Sequence, residues 1–247
     1  GHKGYDTVHP NTHVNMCQSS NDVYPTVQFI VLYRLIGEVL ESTKLLEKTL
    51  GEKAVEFKDI VRIARTCLQD AVPNTFGQVF GGWQHMIYRN RKKLETYRED
   101  FKEVVLGATA VGTGMGQQPG YAEHIMENLS KVIGFEVHWP SWEDEQIKDS
   151  AAFDGMQNCD HSMILGGYLR ALTCAAARIC ADLCILSSGS RSGFCELILP
   201  NYSPKNYSVY INYPYIPEMI FQIMQQSIIA DHVATLTVNE NDSDEAI

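Results

Sequence analysis

The feature that most constrains the fold is a regular row of apolar residues between positions 165 and 186. The row alternates steps of four and three: Leu165, Leu169, Leu172, Ala176, Ile179, Leu183 and Leu186. Such steps place the side chains in one stripe along an α-helix, and the alternation is typical of a helix packed lengthwise against others. The row therefore predicts one long helix within a bundle.

Four other segments show helical spacing or helix-end signals. One covers residues 24–50 and starts beside Pro25, just after a run of cap-forming residues at 19–22. The others cover about 76–105, about 120–133 and a stretch that begins near Pro217, with loops rich in glycine or proline between them. Because alternating strand patterns are scarce, we predict an all-α fold, a bundle of long helices formed by residues 1–247 as a single domain.

Composition narrows the functional classes. The chain has 247 residues, of which 45% are hydrophobic, and a formal net charge of −10. That acidity argues against a protein whose main task is to bind nucleic acid, and the lack of any run of 18 apolar residues predicts no membrane segment. The seven cysteines include no CxxC pair. We interpret them as small buried apolar residues in a reducing compartment, which predicts a cytoplasmic protein.

Three polar strings occur in the predicted loops, where binding residues concentrate. The first ends in QSSND at residues 18–22, directly before a helix. Backbone N–H groups at a helix N-terminus favour an anion such as a carboxylate, although the same residues also make an ordinary helix cap. The second string reads RTCLQDAVP at 65–73, and the third reads GATAVGTG at 107–114. The third lacks the lysine of a phosphate-binding loop, so a nucleotide site is rejected.

Together these strings resemble the fumarase/aspartase superfamily, and within it the aspartate ammonia-lyases. The resemblance rests on PNTHVNMCQSSNDVYPT at 10–26, RTCLQDAVPNTFGQ at 65–78, ATAVGTG at 108–114 and LSSGSRSGFCELILP at 186–200. The sequence YIPE at 215–218 is similar to the segment that follows the signature loop in aspartases. The matching strings occur in the family's order along the whole chain.

The resemblance implies the central domain of the L-aspartase-like fold. In that family a long five-helix bundle packs with three copies into a homotetramer, and each active site is shared between subunits. Residues 1–247 would then form this central domain, without the family's N-terminal domain and most of its C-terminal domain. No organic cofactor is expected, with magnesium as an optional activator.

The resemblance also implies a reaction, the reversible elimination of ammonia from L-aspartate to fumarate through an aci-carboxylate intermediate. By carry-over, Ser19, Ser20 and Asn21 would bind the carboxylates of a small dicarboxylate substrate, and Thr66 would also contact it. Cys67 stands where the family has a histidine, and a thiol offers neither the hydrogen bonds nor the charge of an imidazole.

The signature loop, which supplies the catalytic base in the family, is altered at residues 199–215. Ser208 is the only serine between Pro204 and Pro214, so it is the candidate base. These departures leave alternatives open. The chain is an aspartase-like lyase, a non-catalytic scaffold or pseudoenzyme subunit of the same family, or a fumarate hydratase or a lyase for another succinate derivative.

Overall fold

A computed structural model describes residues 4–144, 146–148, 150–200 and 213–238, without the side chains of 237 and 238. The chain is mostly helical, as predicted. Its α-helices are α1 (Ser20–Glu56), α2 (Phe76–Tyr97), α3 (Tyr121–Ile133), α4 (Ser150–Gln157), α5 (Asp160–Leu186) and α6 (Tyr215–Val238). Two strands, β1 (Val61–Thr66) and β2 (Gln69–Thr75), form an antiparallel hairpin. A π-helical turn spans Pro10–Val14, and a 3-10 turn spans Arg98–Lys102.

The chain divides into two compact units. Unit 1 comprises Gly1–Val39, Glu95–His161 and Val238–Ile247, and unit 2 comprises Leu40–Leu94 and Ser162–Thr237. The expectation that residues 1–247 form a single central domain stays a prediction.

The core of unit 1 is centred on an aromatic cluster. Phe101 and Val104 are almost completely buried, and the rings of Phe29 and Tyr97 pack edge-on against Phe101 at 5.1 and 5.5 Å. Aromatic pairs in this geometry stabilise a fold by more than the burial of their apolar area alone provides. The cluster fixes the start of the segment that leads into the glycine-rich loop, residues 107–114.

The core of unit 2 contains the predicted apolar row. Its buried members are Leu165, Leu172, Ile179 and Leu186, one at every seventh position of α5. In the same unit the buried carboxylate of Asp231, on α6, pairs with Arg170 on α5. Gly166 permits this approach of α6, because a Cβ at that position would collide with Asp231 Oδ1.

The structure corrects several expectations. Helix α1 begins at Ser20, earlier than predicted, and Pro25 lies inside it. Helix α2 ends at Tyr97 instead of near residue 105, because the apolar residues Val104 and Val105 enter the core after a 3-10 turn. The hairpin and α4 were not predicted. The predicted helix at 120–133 is confirmed as α3.

The cysteines also differ from their predicted environment. Cys67, Cys159 and Cys195 are exposed, and the others are half-buried, so none is fully enclosed in the core. Helix α1 is long and apolar enough to cross a membrane, judged by length and composition alone. This is weak evidence, because core helices of soluble proteins meet the same criteria. The expected absence of a membrane segment therefore stays a prediction.

Candidate active site

The QSSND block, residues 18–22, forms the N-terminus of α1 in unit 1. Ser19 Oγ accepts a hydrogen bond from Asn21 N at 3.2 Å, and Ser19 N donates to Asp22 Oδ1 at 2.9 Å. This reciprocal arrangement is a capping box, which satisfies N–H groups that have no partner inside the helix. The structure therefore shows the helix cap. Substrate contact by Ser19, Ser20 and Asn21 stays a prediction.

Asp22 links this block to the glycine-rich loop. Its side chain is completely buried, and Oδ2 accepts hydrogen bonds from Gly107 N and Thr109 N, each at 2.9 Å. Asn21 makes a parallel link, because its Nδ2 donates to the carbonyl of Ala110 at 2.9 Å. The first and third polar strings of the sequence thus meet in one place.

The glycine-rich loop has an unusual backbone. Gly107, Gly112 and Gly114 have positive φ angles of 106°, 103° and 67°, and Thr109 has a φ of 63°. A β-branched residue rarely adopts this region, and such conformations persist only where neighbouring contacts enforce them. Gly112 is also required sterically, because a Cβ would lie 2.9 Å from a ring atom of Phe153.

Further contacts surround the same end of α1. Gln18 Nε2 donates to the hydroxyl of Tyr121 at 2.9 Å, and Gln118 N donates to Cys17 Sγ at 3.3 Å. Burial raises the pKa of the Tyr121 phenol, and the hydrogen bond from Gln18 opposes this rise only in part. The phenol is therefore protonated at neutral pH and is a hydrogen-bonding group rather than a base.

The segment that precedes the block begins with the π-helical turn. His9 caps it, since its Nδ1 accepts from Asn11 N at 3.2 Å and from Thr12 N at 3.1 Å. His13 Nδ1 in turn accepts from His9 N at 2.9 Å. Both rings therefore use Nδ1 as an acceptor, which requires that nitrogen to be unprotonated.

Thr66 and Cys67 lie on the hairpin in unit 2. Thr66 ends β1 and pairs with Gln69, so the connection consists of Cys67 and Leu68 alone, called here the hairpin turn. Their φ angles are 51° and 64°, as a two-residue turn of type I′ requires. Both residues are exposed, and a leucine in this conformation is strained. Cys67, which the resemblance places at the position of the family's histidine, is therefore at the tip of a tight turn.

An ion-pair cluster joins strand β1, which leads into the hairpin turn, to the segment that follows α5. Glu196 pairs with Arg65, and its other oxygen lies 3.3 Å from Arg62 Nε. The side chains of Arg62, Arg65 and Glu196 are only 11%, 18% and 20% exposed. The Arg65 guanidinium also lies 4.2 Å from the centre of the Phe194 ring. These contacts hold β1 against the segment that follows α5.

Arg62, Arg65 and Phe194 also line a cavity of about 440 Å³, and Cys67 forms part of its wall. Arg62, Arg65 and Arg178 contribute to its lining. Each of these cations has a carboxylate partner, because Arg62 and Arg65 pair with Glu196, Arg65 also lies 3.4 Å from Asp70, and Arg178 lies 3.0 Å from Asp182.

The second string ends in another capping box. Thr75 Oγ1 accepts from Gln78 N at 3.1 Å, and Thr75 N donates to Gln78 Oε1 at 3.0 Å. This box starts α2 immediately after β2. The string thus combines a strand, a tight turn, a second strand and a helix start within residues 65–78.

The structure brings Ser19, Ser20 and Asn21 together in unit 1, and Thr66 and Cys67 together in unit 2. Ser208, the candidate base, lies outside the described residues, as does most of the altered loop at 199–215. Sequence reasoning missed Asp22 and Glu196. The spacing of Ser19 and Asp22 could have revealed the first, whereas no local signal connects Glu196 with Arg65.

Unit 1 has a cavity of about 400 Å³ lined in part by Asp100, Glu103 and His161, and it contains none of the predicted site residues. Burial raises the pKa of Asp100, and His161 partly opposes this. Among the described residues, His, Cys, Asp and Glu side chains form no group of three or more that could hold a metal ion.

Comparison with known proteins identifies the family. The family model described as Lyase matches residues 2–204, so the chain belongs to this lyase family, which includes the fumarases and aspartases. A class II fumarate hydratase from Blochmanniella floridana is 37% identical over 198 residues, which cover 80% of this chain and 42% of that protein. An aspartate ammonia-lyase from Bacillus subtilis is 33% identical over 240 residues, covering 96% of this chain and 48% of that protein.

A solved structure gives the same assignment. A fumarate lyase from Brucella melitensis, described as fumarate lyase:delta crystallin bound to cobalt, superposes with a TM-score of 0.88 at 33% identity. The match covers 96% of this chain and 50% of the other. The predicted helical fold of the fumarase/aspartase family is thereby confirmed. The chain spans about half the length of the relatives that it matches.

Proposed function

We propose that this chain is part of an aspartate ammonia-lyase, which eliminates ammonia from L-aspartate to give fumarate. The observation that carries the proposal is the QSSND block at the N-terminus of α1, fixed against the glycine-rich loop by Asp22. Membership of the lyase family supports it, as does the similarity to an aspartate ammonia-lyase over 96% of the chain.

The chemistry requires such a block. The proton on Cβ is weakly acidic, and its removal places a second negative charge on the neighbouring carboxylate. Preorganised donors must meet that charge in the aci-carboxylate intermediate. The helix N-terminus, the hydroxyls of Ser19 and Ser20 and the amide of Asn21 are donors of this kind.

The remaining roles belong to residues outside this block. We assign the base to Ser208 as a candidate, and a substrate contact to Thr66. Cys67 stands at the position of the family's histidine and supplies only a weakly donating thiol. Cys67 lines the cavity of about 440 Å³, which supports a role for the hairpin turn in binding a small substrate.

The assembly expected of this family is a homotetramer with shared active sites. Helix α1 supports this proposal, because Tyr24, Val27, Val31 and Leu35 are each between 45% and 75% exposed on it. Exposed apolar residues along one helix favour a protein partner, and a second copy of the chain fits the family. We further propose a cytoplasmic enzyme that needs no organic cofactor, with magnesium at most as an activator.

A second candidate function is a non-catalytic scaffold, or pseudoenzyme subunit, of the same family. The exposed thiol of Cys67 favours it, because the turn keeps its backbone geometry and its ion-pair support while the imidazole is missing. A third is fumarate hydratase, or a lyase for another succinate derivative. The similarity to a class II fumarate hydratase favours that function.

The test is a fumarate-absorbance assay with L-aspartate and, separately, L-malate as substrates. The purified chain is compared with a Ser20→Ala, Asn21→Ala double variant and with Lys48→Ala, a control on the exposed surface of α1. We expect fumarate from L-aspartate with the wild type and Lys48→Ala, and at least about a hundredfold less with the double variant. Fumarate from L-malate alone would indicate a hydratase, and none from either substrate would indicate the scaffold.

A further inference from the structure

The carboxylate of Asp22 is the only side chain among those described above that bonds both to the QSSND block and to the backbone amides of the glycine-rich loop. Oδ1 accepts from Ser19 N, and Oδ2 accepts from Gly107 N and Thr109 N, all at 2.9 Å. The side chain is 0% exposed. Hydrogen bonds to a charged acceptor are stronger than neutral ones, and a buried carboxylate depends on them.

The loop needs this restraint. Gly107 and Thr109 both have positive φ angles, and in that conformation their N–H groups point to the same oxygen. A threonine leaves this region readily when nothing holds it there. The carbonyl of the next residue, Ala110, accepts from Asn21 Nδ2 at 2.9 Å, so the position of the loop determines where the Asn21 amide points.

We propose that Asp22 is a positioning residue of the substrate-binding block. Its carboxylate sets the loop at 107–109 and, through Ala110, the orientation of the Asn21 amide toward a substrate carboxylate. The inference rests on the proposed function, because it assumes that Asn21 binds substrate. Asp22 itself is buried and does not contact the ligand.

A matched pair of variants separates positioning from general stability. Asp22→Asn keeps the shape of the side chain but replaces one carboxylate oxygen with an NH2 group. That group cannot accept a hydrogen bond, so at least one backbone N–H that now bonds to Asp22 loses its acceptor. Thr26→Val is equally buried, at 2% exposure, and removes the hydroxyl that donates to the main-chain carbonyl of Asp22 at 2.7 Å. Thr26→Val therefore weakens the same turn of α1 without touching the loop at 107–109.

Amide hydrogen exchange reads the loop directly and needs no turnover. In the wild type we expect Gly107 N and Thr109 N to exchange at least about tenfold more slowly than Met115 N, whose bond to Thr113 Oγ1 is long at 3.4 Å. In Asp22→Asn we expect both amides to exchange at least about tenfold faster, and in Thr26→Val we expect no change there. Equal exchange in the wild type and Asp22→Asn, or equal acceleration in both variants, would overturn the proposal. If Asp22→Asn does not fold, wild-type exchange of Gly107 N and Thr109 N as fast as that of Met115 N would still overturn the proposal.

Kinetics then test the catalytic consequence. Asn21 is proposed to bind a carboxylate of the substrate and to meet its added charge in the intermediate, so misplacing its amide raises KM and also lowers kcat, whereas a merely destabilised protein loses active molecules and shows a lower kcat at the same KM. We expect Asp22→Asn to raise KM for L-aspartate at least about tenfold and Thr26→Val to leave KM unchanged. A lower kcat with unchanged KM in Asp22→Asn would contradict the positioning role.

A wild type that neither turns over L-aspartate nor binds succinate would refute the proposed function. Hydrogen exchange would still decide whether Asp22 sets the position of the loop at 107–109.

Discussion

The two candidate blocks are supported in different ways. In unit 1 the QSSND block is fixed by a buried carboxylate that bonds to backbone N–H groups, so its geometry depends on one side chain at the start of α1. In unit 2, ion pairs of Glu196 with Arg65 and Arg62 stabilise strand β1, which leads into the hairpin turn. The two residues of the turn itself have strained backbone angles.

The comparison shows that the residues that hold a segment in place can be close to, or distinct from, the residues predicted to bind substrate. In the QSSND block the supporting residue is adjacent to the residues predicted to bind substrate, so a change in one disturbs the other. At the hairpin turn the ion pairs lie on Arg62, Arg65 and Glu196, whereas the residue predicted to occupy the position of the family's histidine is Cys67. A change at Cys67 should therefore leave this ion-pair support in place.

The largest effect is expected from Glu196→Ala. The substitution leaves two largely buried guanidinium groups without their shared carboxylate, and breaking such a pair is strongly destabilising. We expect a loss of about 2 to 3 kcal/mol in the free energy of unfolding, measured by denaturant titration. Glu52→Ala, which removes an exposed partner of Lys48, is the control and should cost less than about 0.5 kcal/mol. Equal losses would show that the cluster does not support the hairpin.

Cys67→His restores the residue type of the family at the hairpin turn. Histidine tolerates a left-handed backbone better than most residues, so the turn should survive. We expect kcat/KM for L-aspartate to rise about tenfold, which is modest for a restored polar catalytic group. Cys195→His is the control, because Cys195 is also exposed and has a φ of 47°. A similar rise in both variants would exclude a specific role for position 67.

Leu68→Gly tests the strain in the hairpin turn. Leu68 is 63% exposed and has a φ of 64°, so removing its side chain relieves strain and gives up little buried surface. We expect stabilisation by about 1 kcal/mol in thermal or denaturant unfolding. Leu68→Ala keeps the unfavourable conformation and should give no gain. Stabilisation by both variants would mean that the leucine side chain, not the backbone angle, is the cause.

The smallest effect concerns alkaline pH and the half-buried thiol of Cys180, on α5 in unit 2. Burial, with a contribution from Cys184, raises the pKa of Cys180 from 9.0 to about 11. A thiol with a raised pKa stabilises the fold below pH 9, and this contribution is lost as the pH rises from 9 toward about 11. We expect the denaturation midpoint of the wild type to fall more steeply over this range than that of Cys180→Ala. Parallel curves would contradict the raised pKa.

Part of this structure was predictable from the sequence. The apolar row at 165–186 predicted α5, because a long helix that buries one face has apolar residues at helical spacing along its sequence. The hairpin was not predicted, since its turn is Cys67-Leu68 instead of the usual Asn-Gly and Pro73 interrupts β2. Pro25 predicts a start of helix α1 that is too late, because this proline lies inside the first turns of the helix, whereas the spacing of Ser19 and Asp22 is that of a capping box.

The candidate site was predictable only as separate strings. The resemblance to the family indicated Ser19, Ser20, Asn21, Thr66 and Cys67, but no local rule connects residue 22 with residues 107 and 109. Those contacts depend on long-range packing in unit 1, which a sequence pattern does not record. The role of Ser208 stays a prediction.

The most direct test of the central claim, that the QSSND block binds a carboxylate, is calorimetric titration with succinate, which cannot undergo the elimination. The wild type and Lys48→Ala should bind it saturably with the same Kd. The Ser20→Ala, Asn21→Ala double variant should bind at least about tenfold more weakly, because it loses a hydroxyl and an amide from the site. Equal affinity in the double variant, or no binding to the wild type, would contradict the claim.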